Sequence, residues 1–414
     1  MIRFPQISAL WSNSIKALAP SKAQIIDIPS VEIHDIETKP DKQARALKHL
    51  IRANHVNHSI IYHNLEFHNH LPHILGSAYL FGSGSDHLNT IYDEESKSLE
   101  PWKDSPGEVS KHDWRDYLGD RSYQRAYIDF FEDELVQLHY DWKELVHHYL
   151  FDGENPLINN LIGGLGHPLI HLGYAFELAN RTIAIEALAL TTTFYNFFHK
   201  YLDNPSYTTP PSNPTGSVIE ILDRVRTDKR FDGYFEQPGA ENMEPLFKDH
   251  EDVVLEHWNN WALTDPKAQF EESQRAAVLL LVGTQDAGAK TYDFFLVHLL
   301  TTSHAVRVLL PLIPEKFHVP LVRQWWLFTL AVYIAQLRPS LKDENISAYP
   351  LKGEDWAWAG KMALTSSHCI DAHYVKGIRA MKEAALMWGD PESWYLRAAV
   401  RFAREFERWG GFGE

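Results

Sequence analysis

Two histidines four residues apart, His167 and His171, stand in an apolar segment that follows a glycine-rich turn. Pro168 suits the first turn of a helix, where its missing N–H would lack a partner in any case. Residues four apart share one face of a helix, so both imidazoles project from the same side. Two neutral imidazoles at this spacing form a common half-site for a divalent metal, although the glutamate of the helical zinc-protease motif is absent between them. The alternative is structural, with one histidine at a helix start and the other partly buried.

Three segments dense in apolar residues each carry one histidine where a hydrophobic residue is expected, namely His70, His171 and His298. An unpaired buried imidazole is costly, so each of them needs a partner. A backbone carbonyl or a tyrosine would satisfy any one of them, as is common for a structural core histidine. Taken together with His167, histidines in separate core helices favour one shared metal ion. His73, three residues after His70, could share its face.

Two further segments offer additional ligands. His298 and His304 are six residues apart on one predicted helix, so at most one of them faces a common site, and His298 lies deeper in the aromatic run. His373 and Lys376 are three apart and could face the same way. A lysine in an apolar turn usually extends its amine to the surface. If Lys376 is buried instead, its pKa falls and the amine can take up carbon dioxide as a carbamate, which binds metals through oxygen.

Helical periodicity covers most of the chain and alternating strand patterns are nearly absent. We therefore expect an all-α fold, a large single-domain multi-helix bundle with long connecting loops. Residues 1–40 are punctuated by prolines and are predicted to be an irregular lead-in to one domain over residues 41–414. The helix opened by His167 is expected to run to about Ala187.

The composition excludes several classes of function. A chain of 414 residues that is 44% hydrophobic can bury a substantial core. Its formal net charge of −16 argues against non-specific binding to nucleic acid or anionic membranes. The single cysteine, Cys369, excludes an intramolecular disulfide and a cysteine-based zinc site. We see neither a signal peptide nor an uninterrupted apolar run of about 18 residues, so we expect a cytoplasmic protein without a transmembrane helix.

Four motifs in this sequence together resemble the questin oxidase-like family, whose members occur in fungal aromatic polyketide pathways. The motifs are Phe67-His68-Asn69-His70-x-x-His73, Gly164-x-Gly166-His167-Pro168-x-Ile170-His171-x-Gly173-Tyr174-Ala175-x-Glu177, Asp293-Phe294-Phe295-x-x-His298 and Asp371-x-His373-x-x-Lys376. The resemblance extends from about residue 45 to the C-terminal segment 409–413 and assigns residues 41–414 to one catalytic domain. The His-Pro-x-x-His-x-Gly-Tyr segment is its most specific part.

The resemblance implies oxidative ring opening of an anthraquinone-type polyketide, with an outcome like that of a Baeyer–Villiger oxidation. It also implies a non-haem iron held by four histidines and a carboxylated lysine. The positions that match this ligand set are His70, His167, His171, His298 and Lys376. Alternative ligands, or residues that support the ligands, are His73, His304 and His373. Some members of the family use NADPH, and because this sequence has no Gly-x-Gly-x-x-Gly fingerprint, NADPH is expected only as an external reductant.

The sequence thus predicts a cytoplasmic Fe(II)-dependent oxygenase that acts with dioxygen on a small aromatic polyketide, without nucleic-acid or membrane partners. Neutral imidazoles and an oxygen donor suit Fe(II), and five such ligands nearly fill an octahedron. One alternative is a metal-dependent hydrolase in which zinc and a carboxylated lysine activate water. A second is a non-catalytic helical binding protein whose histidines are structural. The substrate and the oligomeric state stay open at this point.

Overall fold

A computed structural model describes residues 25–413 of the chain. The described residues form 18 α-helices: α1 (Lys42–Asn57), α2 (Leu71–Leu80), α3 (Ser85–Glu95), α4 (Gln124–Gln137), α5 (Trp142–Phe151), α6 (His167–Glu177), α7 (Arg181–Thr193), α8 (Lys200–Asp203), α9 (Val218–Thr227), α10 (Met243–Asp249), α11 (Glu251–Asn259), α12 (Pro266–Val278), α13 (Phe294–Leu309), α14 (His318–Ala335), α15 (Glu344–Ser347), α16 (Trp356–Thr365), α17 (Ala372–Trp388) and α18 (Trp394–Glu405). The predicted all-α fold is confirmed.

Strands are few and short in the described part of the chain. Strands β1 (Ile61–Tyr62) and β2 (Phe67–His68) form an antiparallel pair just before α2. Strands β3 (Thr291–Asp293) and β4 (Arg408–Gly410) pair in parallel, which fastens the C-terminal segment to the start of α13. Both pairs lie at the ends of helices that carry candidate site histidines, so their role in this fold is to position those helices.

Helix α13 lies at the centre of the fold, and each of its residues from Phe295 to Leu309 is buried. The stretch Phe294–Leu312 is long and apolar enough to cross a membrane by length and composition alone, and 89% of it is buried inside the protein. A helix that is apolar on all sides is expected at such a buried position, so its composition follows from its place in the core. It packs closely on α6, because a Cβ added to Gly173 would lie 3.1 Å from the Cβ of Ala305.

The segment after His167 departs from the sequence prediction of one helix to about Ala187. Helix α6 ends at Glu177, and α7 begins at Arg181. Between them Ala179 adopts a positive φ of 49°, which no helix can continue through. The Asn180 side chain accepts a hydrogen bond from the Ile183 amide and caps the new helix. Apolar periodicity runs across this break because both helices bury nearly all their residues, so the pattern alone could not show it.

The predicted irregular lead-in over residues 1–40 falls partly on residues 1–24, which lie outside the described residues. Its described part, residues 25–40, has no helix or strand. Backbone amides of this part donate to the end of α6, from His34 to the Glu177 carbonyl at 2.7 Å and from Ile36 to the Leu178 carbonyl at 3.2 Å. The lead-in therefore satisfies carbonyls that the end of a helix leaves without partners.

A buried ion pair joins the end of α6 to the middle of α17. Arg379 contacts Glu177, and the two residues are 2% and 4% exposed. Burial opposes ionisation of the Glu177 carboxyl, but the positive charge of Arg379 holds its pKa at about 2. The pair fixes the relative position of two helices that both carry candidate site residues.

We expect Arg379→Met to lower the free energy of unfolding by about 3–5 kcal/mol, because it leaves the Glu177 carboxylate buried without its cation. Urea unfolding followed by circular dichroism measures this loss. The control is Arg226→Met, which removes the exposed Arg226–Asp223 pair and should cost less than about 1 kcal/mol. Equal losses in the two variants would contradict the structural role of the buried pair.

Candidate metal centre

Four histidines from four different helices meet at one point in the described structure. The ligand nitrogens of His70, His167, His298 and His373 all lie within 4.8 Å of one another. His70 is half-buried and caps α2, whereas the other three are buried and lie on α6, α13 and α17. Each histidine lies within the first turn or two of its helix, so four helix N-termini converge on the group.

The glycine-rich turn before α6 places His167 in this group. Gly164 and Gly166 adopt positive φ angles of 53° and 74°, which are strained for any residue with a side chain. A Cβ on Gly166 would lie 2.4 Å from Cγ2 of Thr302 on α13, so the turn also requires glycine for close approach. The turn then feeds directly into α6, where Pro168 occupies the first helical turn.

Backbone carbonyls fix which nitrogen of two imidazoles is available. Nδ1 of His167 lies 2.7 Å from the Gly164 carbonyl oxygen, and Nδ1 of His298 lies 2.7 Å from that of Phe294. A carbonyl only accepts, so Nδ1 carries the proton in both rings and Nε2 keeps its lone pair. This arrangement, with one ring nitrogen donating to a carbonyl and the other free, is typical of metal-ligating histidines.

The remaining nitrogens of the group lack sufficient partners within the protein. Nε2 of His298 and Nε2 of His373 are buried without a hydrogen-bond partner among the described residues. Nε2 of His70 faces Nε2 of His167 at 2.8 Å. Two nitrogens that each lie ~2.1 Å from one ion at a right angle are about 3 Å apart. Since unpaired buried polar atoms are rare and costly, this donor set fits a bound metal ion.

Burial keeps the four imidazoles neutral. Desolvation, together with the nearby Lys376 amine, lowers the pKa of His298 to about 3. Desolvation likewise moves the pKa values of His70, His167 and His373 well below the usual range, and the neighbouring positive groups add to that shift. A neutral imidazole is the form that binds a metal, so the site is electrostatically prepared for a cation.

Lys376 is buried beside this group, and its Nζ has no hydrogen-bond partner in the described structure. Desolvation lowers its pKa to about 7, although the Asp371 carboxylate acts in the opposite direction. A large part of the lysine population is therefore an unprotonated amine at neutral pH. This is the protonation state that carbamate formation requires, so the residue fits the predicted role of an oxygen donor after carboxylation.

The other predicted histidines take different positions. His171 lies outside the group of four, with its Nδ1 2.7 Å from Nε2 of His73 and its Nε2 3.7 Å from the Glu186 carboxylate. His304 faces the other side of α13, where its Nε2 lies 3.9 Å from the Glu177 carboxylate. The structure thus brings together His70, His167 and His298 of the predicted ligand set and adds His373. The signal for His373 was its spacing of three residues from Lys376, which placed both on one face of α17.

The C-terminal segment ties two of the site helices together. Asp293 caps α13 by accepting hydrogen bonds from the amides of Phe295 and Leu296. Asp371 caps α17 and also accepts a hydrogen bond of 2.6 Å from Nε1 of Trp409 in β4. Since β4 pairs with β3, which ends at Asp293, one short strand holds the starts of both helices. The helix positions of His298 and His373 are thereby fixed relative to each other.

Comparison with known proteins decides the family. A sequence profile described as questin oxidase-like matches residues 67–381, about three quarters of the chain. The chain belongs to the questin oxidase-like family. The matched segment of this family member contains the four converging histidines and Lys376, so the predicted resemblance is confirmed over the region that builds the site.

Named relatives of this questin oxidase-like chain come from fungi. The Baeyer-Villiger oxidase ptaJ of Pestalotiopsis fici is 24% identical over 377 residues, which cover 83% of this chain and 81% of the relative. The questin oxidase of Aspergillus terreus is 24% identical over 398 residues, covering 88% of this chain and 84% of the relative. The Baeyer-Villiger oxidase mdpL of Emericella nidulans is 23% identical over 393 residues, covering 86% and 84% respectively.

The lowered pKa of Lys376 has a measurable consequence for the metal-free protein of this family. Between about pH 7 and pH 10.4 the unfolded chain holds a proton on this amine that the folded chain lacks, so raising the pH stabilises the folded state. We expect the stability of the wild type to rise relative to Lys376→Met by about 2 kcal/mol between pH 7.5 and 9.5. Urea unfolding in chelator and carbon-dioxide-free buffer measures this difference.

The control for this measurement is Lys42→Met, which removes a lysine whose side chain is 74% exposed. Its stability should follow that of the wild type at both pH values. A constant difference between wild type and Lys376→Met across the two pH values would show that the Lys376 amine is charged in the folded protein and would contradict the prediction.

Proposed function

We propose that this chain is an oxygenase that cleaves a ring of an anthraquinone-type aromatic polyketide at a non-haem Fe(II) centre. The ligands would be His70, His167, His298 and His373, with Lys376 as a carbamate that adds an oxygen donor. The observation that carries the proposal is the convergence of four neutral imidazoles on one point within 4.8 Å, two of them with a buried Nε2 that has no partner. Relatives named questin oxidase and Baeyer-Villiger oxidase supply the reaction class.

The choice of Fe(II) follows from the donors and from the reaction class. Imidazole nitrogens suit iron, zinc and copper alike, but an oxygenation needs an ion that changes its oxidation state, which zinc does not. Bound Fe(II) would supply the one-electron chemistry through which dioxygen reacts with a closed-shell organic substrate. The absence of a dinucleotide fingerprint from the sequence supports NADPH as an external reductant rather than a tightly held cofactor.

The residues of the chain contribute exclusion of water and orientation of the ligands. The Phe294 ring lies against the imidazoles of His298 and His373, with ring centroids 4.9 and 4.6 Å away. On its outer side, Phe412 and Trp409 cover the same ring at 5.3 and 6.0 Å. This aromatic layer limits access of water, which strengthens electrostatic interactions inside the site. It also presents flat apolar surface of the kind that suits a polycyclic substrate.

The test is the metal content of purified protein after anaerobic reconstitution with Fe(II), measured together with oxygen uptake. We expect about one iron per chain and oxygen uptake that depends on an added hydroxyanthraquinone. His373→Ala should weaken metal binding by about 100-fold or more, because it removes a ligand. His171→Ala is the matched control on the neighbouring imidazole pair and should retain the metal.

Each contrary result points to a specific alternative. Loss of iron in His171→Ala but not in His373→Ala would restore the ligand set that the sequence motifs imply. Activity that requires zinc and proceeds without oxygen would favour the metal-dependent hydrolase. If neither iron nor zinc binds to wild-type protein, the histidines are structural, and the chain is a non-catalytic binding protein.

A further inference from the structure

We propose that Glu132, His55, Glu186, His171 and His73 form a proton path from the protein surface to the candidate metal centre. The proposal rests on the proposed oxygenase function, because it supplies the protons which that reaction consumes. It is carried by a series of carboxylate and imidazole groups with one gap of 3.7 Å, and of its five residues only His73 and His171 belong to the sequence motifs. The five residues come from five helices: His55 from α1, His73 from α2, Glu132 from α4, His171 from α6 and Glu186 from α7.

The outer half of the path begins at a surface cleft. The Glu132 side chain is 47% exposed, and its Oε1 lies 3.1 Å from Nε2 of His55. The other nitrogen of His55, Nδ1, lies 2.9 Å from Oε1 of Glu186, whose side chain is only 1% exposed. Glu132 and His55 line a cleft of about 370 Å³ that is also lined by Arg52 and Asn180. Solvent therefore reaches the outer end, while the second carboxylate is sealed inside the protein.

The inner half continues from the opposite oxygen of Glu186. Oε2 of Glu186 lies 3.7 Å from Nε2 of His171, and neither atom has a hydrogen-bond partner in the part of the chain that the structure describes. A small rotation of either side chain would close this gap to a hydrogen bond. Nδ1 of His171 is 2.7 Å from Nε2 of His73. The last atom, Nδ1 of His73, is buried without a partner, and its ring lies against His70 with centroids 5.4 Å apart.

The arrangement distinguishes a path from an isolated buried ion pair. Every intermediate residue uses one polar atom toward the surface and its other polar atom toward the site, as proton transfer through a side chain requires. An ion pair would be complete with His55 and Glu186 alone. It would not explain why the second oxygen of Glu186 turns to His171, or why the series ends in a free nitrogen beside the metal ligands.

A proton is held midway along the path. Burial acts to lower the pKa of His55, but the hydrogen bonds that its ring donates to the carboxylates of Glu132 and Glu186 outweigh burial and raise the pKa to about 9. His55 is therefore an imidazolium between two carboxylates at neutral pH. In one passage, His55 gives its Nδ1 proton to Oε1 of Glu186 and keeps its Nε2 proton. After rotation of its carboxyl group, the protonated Glu186 protonates His171 at Nε2, the Nδ1 proton of His171 moves to Nε2 of His73, and His73 releases its own Nδ1 proton. Ring flips of the three histidines then turn each remaining N–H toward the site, and Glu132 passes a proton from solvent to the bare nitrogen of His55.

The proposed reaction needs a supply of protons at the candidate metal centre. A Baeyer–Villiger-type oxygenation inserts one oxygen atom of dioxygen and reduces the other to water, consuming two electrons from the external reductant and two protons. The Nδ1 protons of His167 and His298 are donated to backbone carbonyls, so these imidazoles are not placed to supply protons for this step. The path would deliver protons while the aromatic layer beside α13 excludes bulk water.

The first test uses metal-free, ¹⁵N-histidine-labelled protein and measures solvent exchange of ring N–H protons by NMR. The ring protons of His171 and His73 should exchange at least tenfold faster than the Nδ1 proton of His298, which is equally buried but donates only to a carbonyl. Glu186→Gln preserves shape and hydrogen bonding yet cannot carry a proton, and it should abolish this difference. Equal exchange rates in wild type and Glu186→Gln would overturn the proposal.

The second test uses the iron-loaded enzyme and hydroxyanthraquinone-dependent oxygen uptake. His55→Ala should slow uptake at least tenfold without loss of iron, and added imidazole, which fits the surface cleft, should restore the rate. His257→Ala is the matched control, because His257 is also buried and bonded to a carboxylate, Asp228 at 2.8 Å, but has no link to the site. A slow His55→Ala enzyme that imidazole does not rescue would mean that the residue is merely structural.

The two tests separate this proposal from the proposed function. Ring-proton exchange is measured without metal, substrate or turnover, so it decides the path even if the protein proves not to be an oxygenase. Conversely, an active enzyme with unchanged exchange in Glu186→Gln would retain the proposed function and overturn the path.

Discussion

The constraint on which this structure depends is the convergence of four imidazoles, of which those of His298 and His373 have a buried Nε2 without a hydrogen-bond partner among residues 25–413. Leaving polar atoms unpaired inside a protein costs free energy, and here the cost is concentrated at one point rather than spread through the core. Hydrogen bonds from Nδ1 to the carbonyls of Gly164 and Phe294 fix the tautomers of His167 and His298. The lone pairs are thus fixed in place before any ion arrives. A bound cation would recover this cost, so metal binding and folding stability are coupled in this fold.

Four helices point their N-termini at the group of four histidines, and this orientation affects which charges are stable there. The four histidines lie near the N-termini of α2, α6, α13 and α17, where helix dipoles place partial positive charge. That charge disfavours imidazolium and favours anionic oxygen donors, in agreement with neutral histidines and a carbamate on Lys376. Asp293 and Asp371 cap two of these helices and satisfy their first amides, so the N-termini can be buried. The buried pair of Glu177 and Arg379 and the short strand β4 then hold the helices in register.

The sequence allowed the all-α fold and three of the four converging histidines to be predicted, since apolar helices that carry a single polar residue stand out. It could not choose between His171 and His373. His167 and His171 are four residues apart on α6, so both looked suitable. A rotation of about 40° and a rise of about 6 Å along the helix nevertheless separate His167, which faces α13, from His171, which faces α7. Only packing sets that rotation. The end of α6 was missed for a related reason, because burial on all sides hid the break at Ala179.

The two neighbouring sets of histidines differ in the groups that accept hydrogen bonds from their rings. The accepting group, a carbonyl or a carboxylate, decides what each imidazole can do. His167 and His298 donate to carbonyls, which cannot return a proton, and so each remains a fixed lone-pair donor. His55 lies between two carboxylates, which accept and release protons, and so it carries charge at neutral pH. His171 lies between the two sets of histidines. It is one turn of α6 from His167, and its Nε2 lies 3.7 Å from the Glu186 carboxylate. The proposed metal centre would need both kinds of histidine side by side, because it would stay dry and neutral while the proposed reaction consumes protons. The α6–α7 pair provides them because its turn at Ala179 folds Glu186 back against His171.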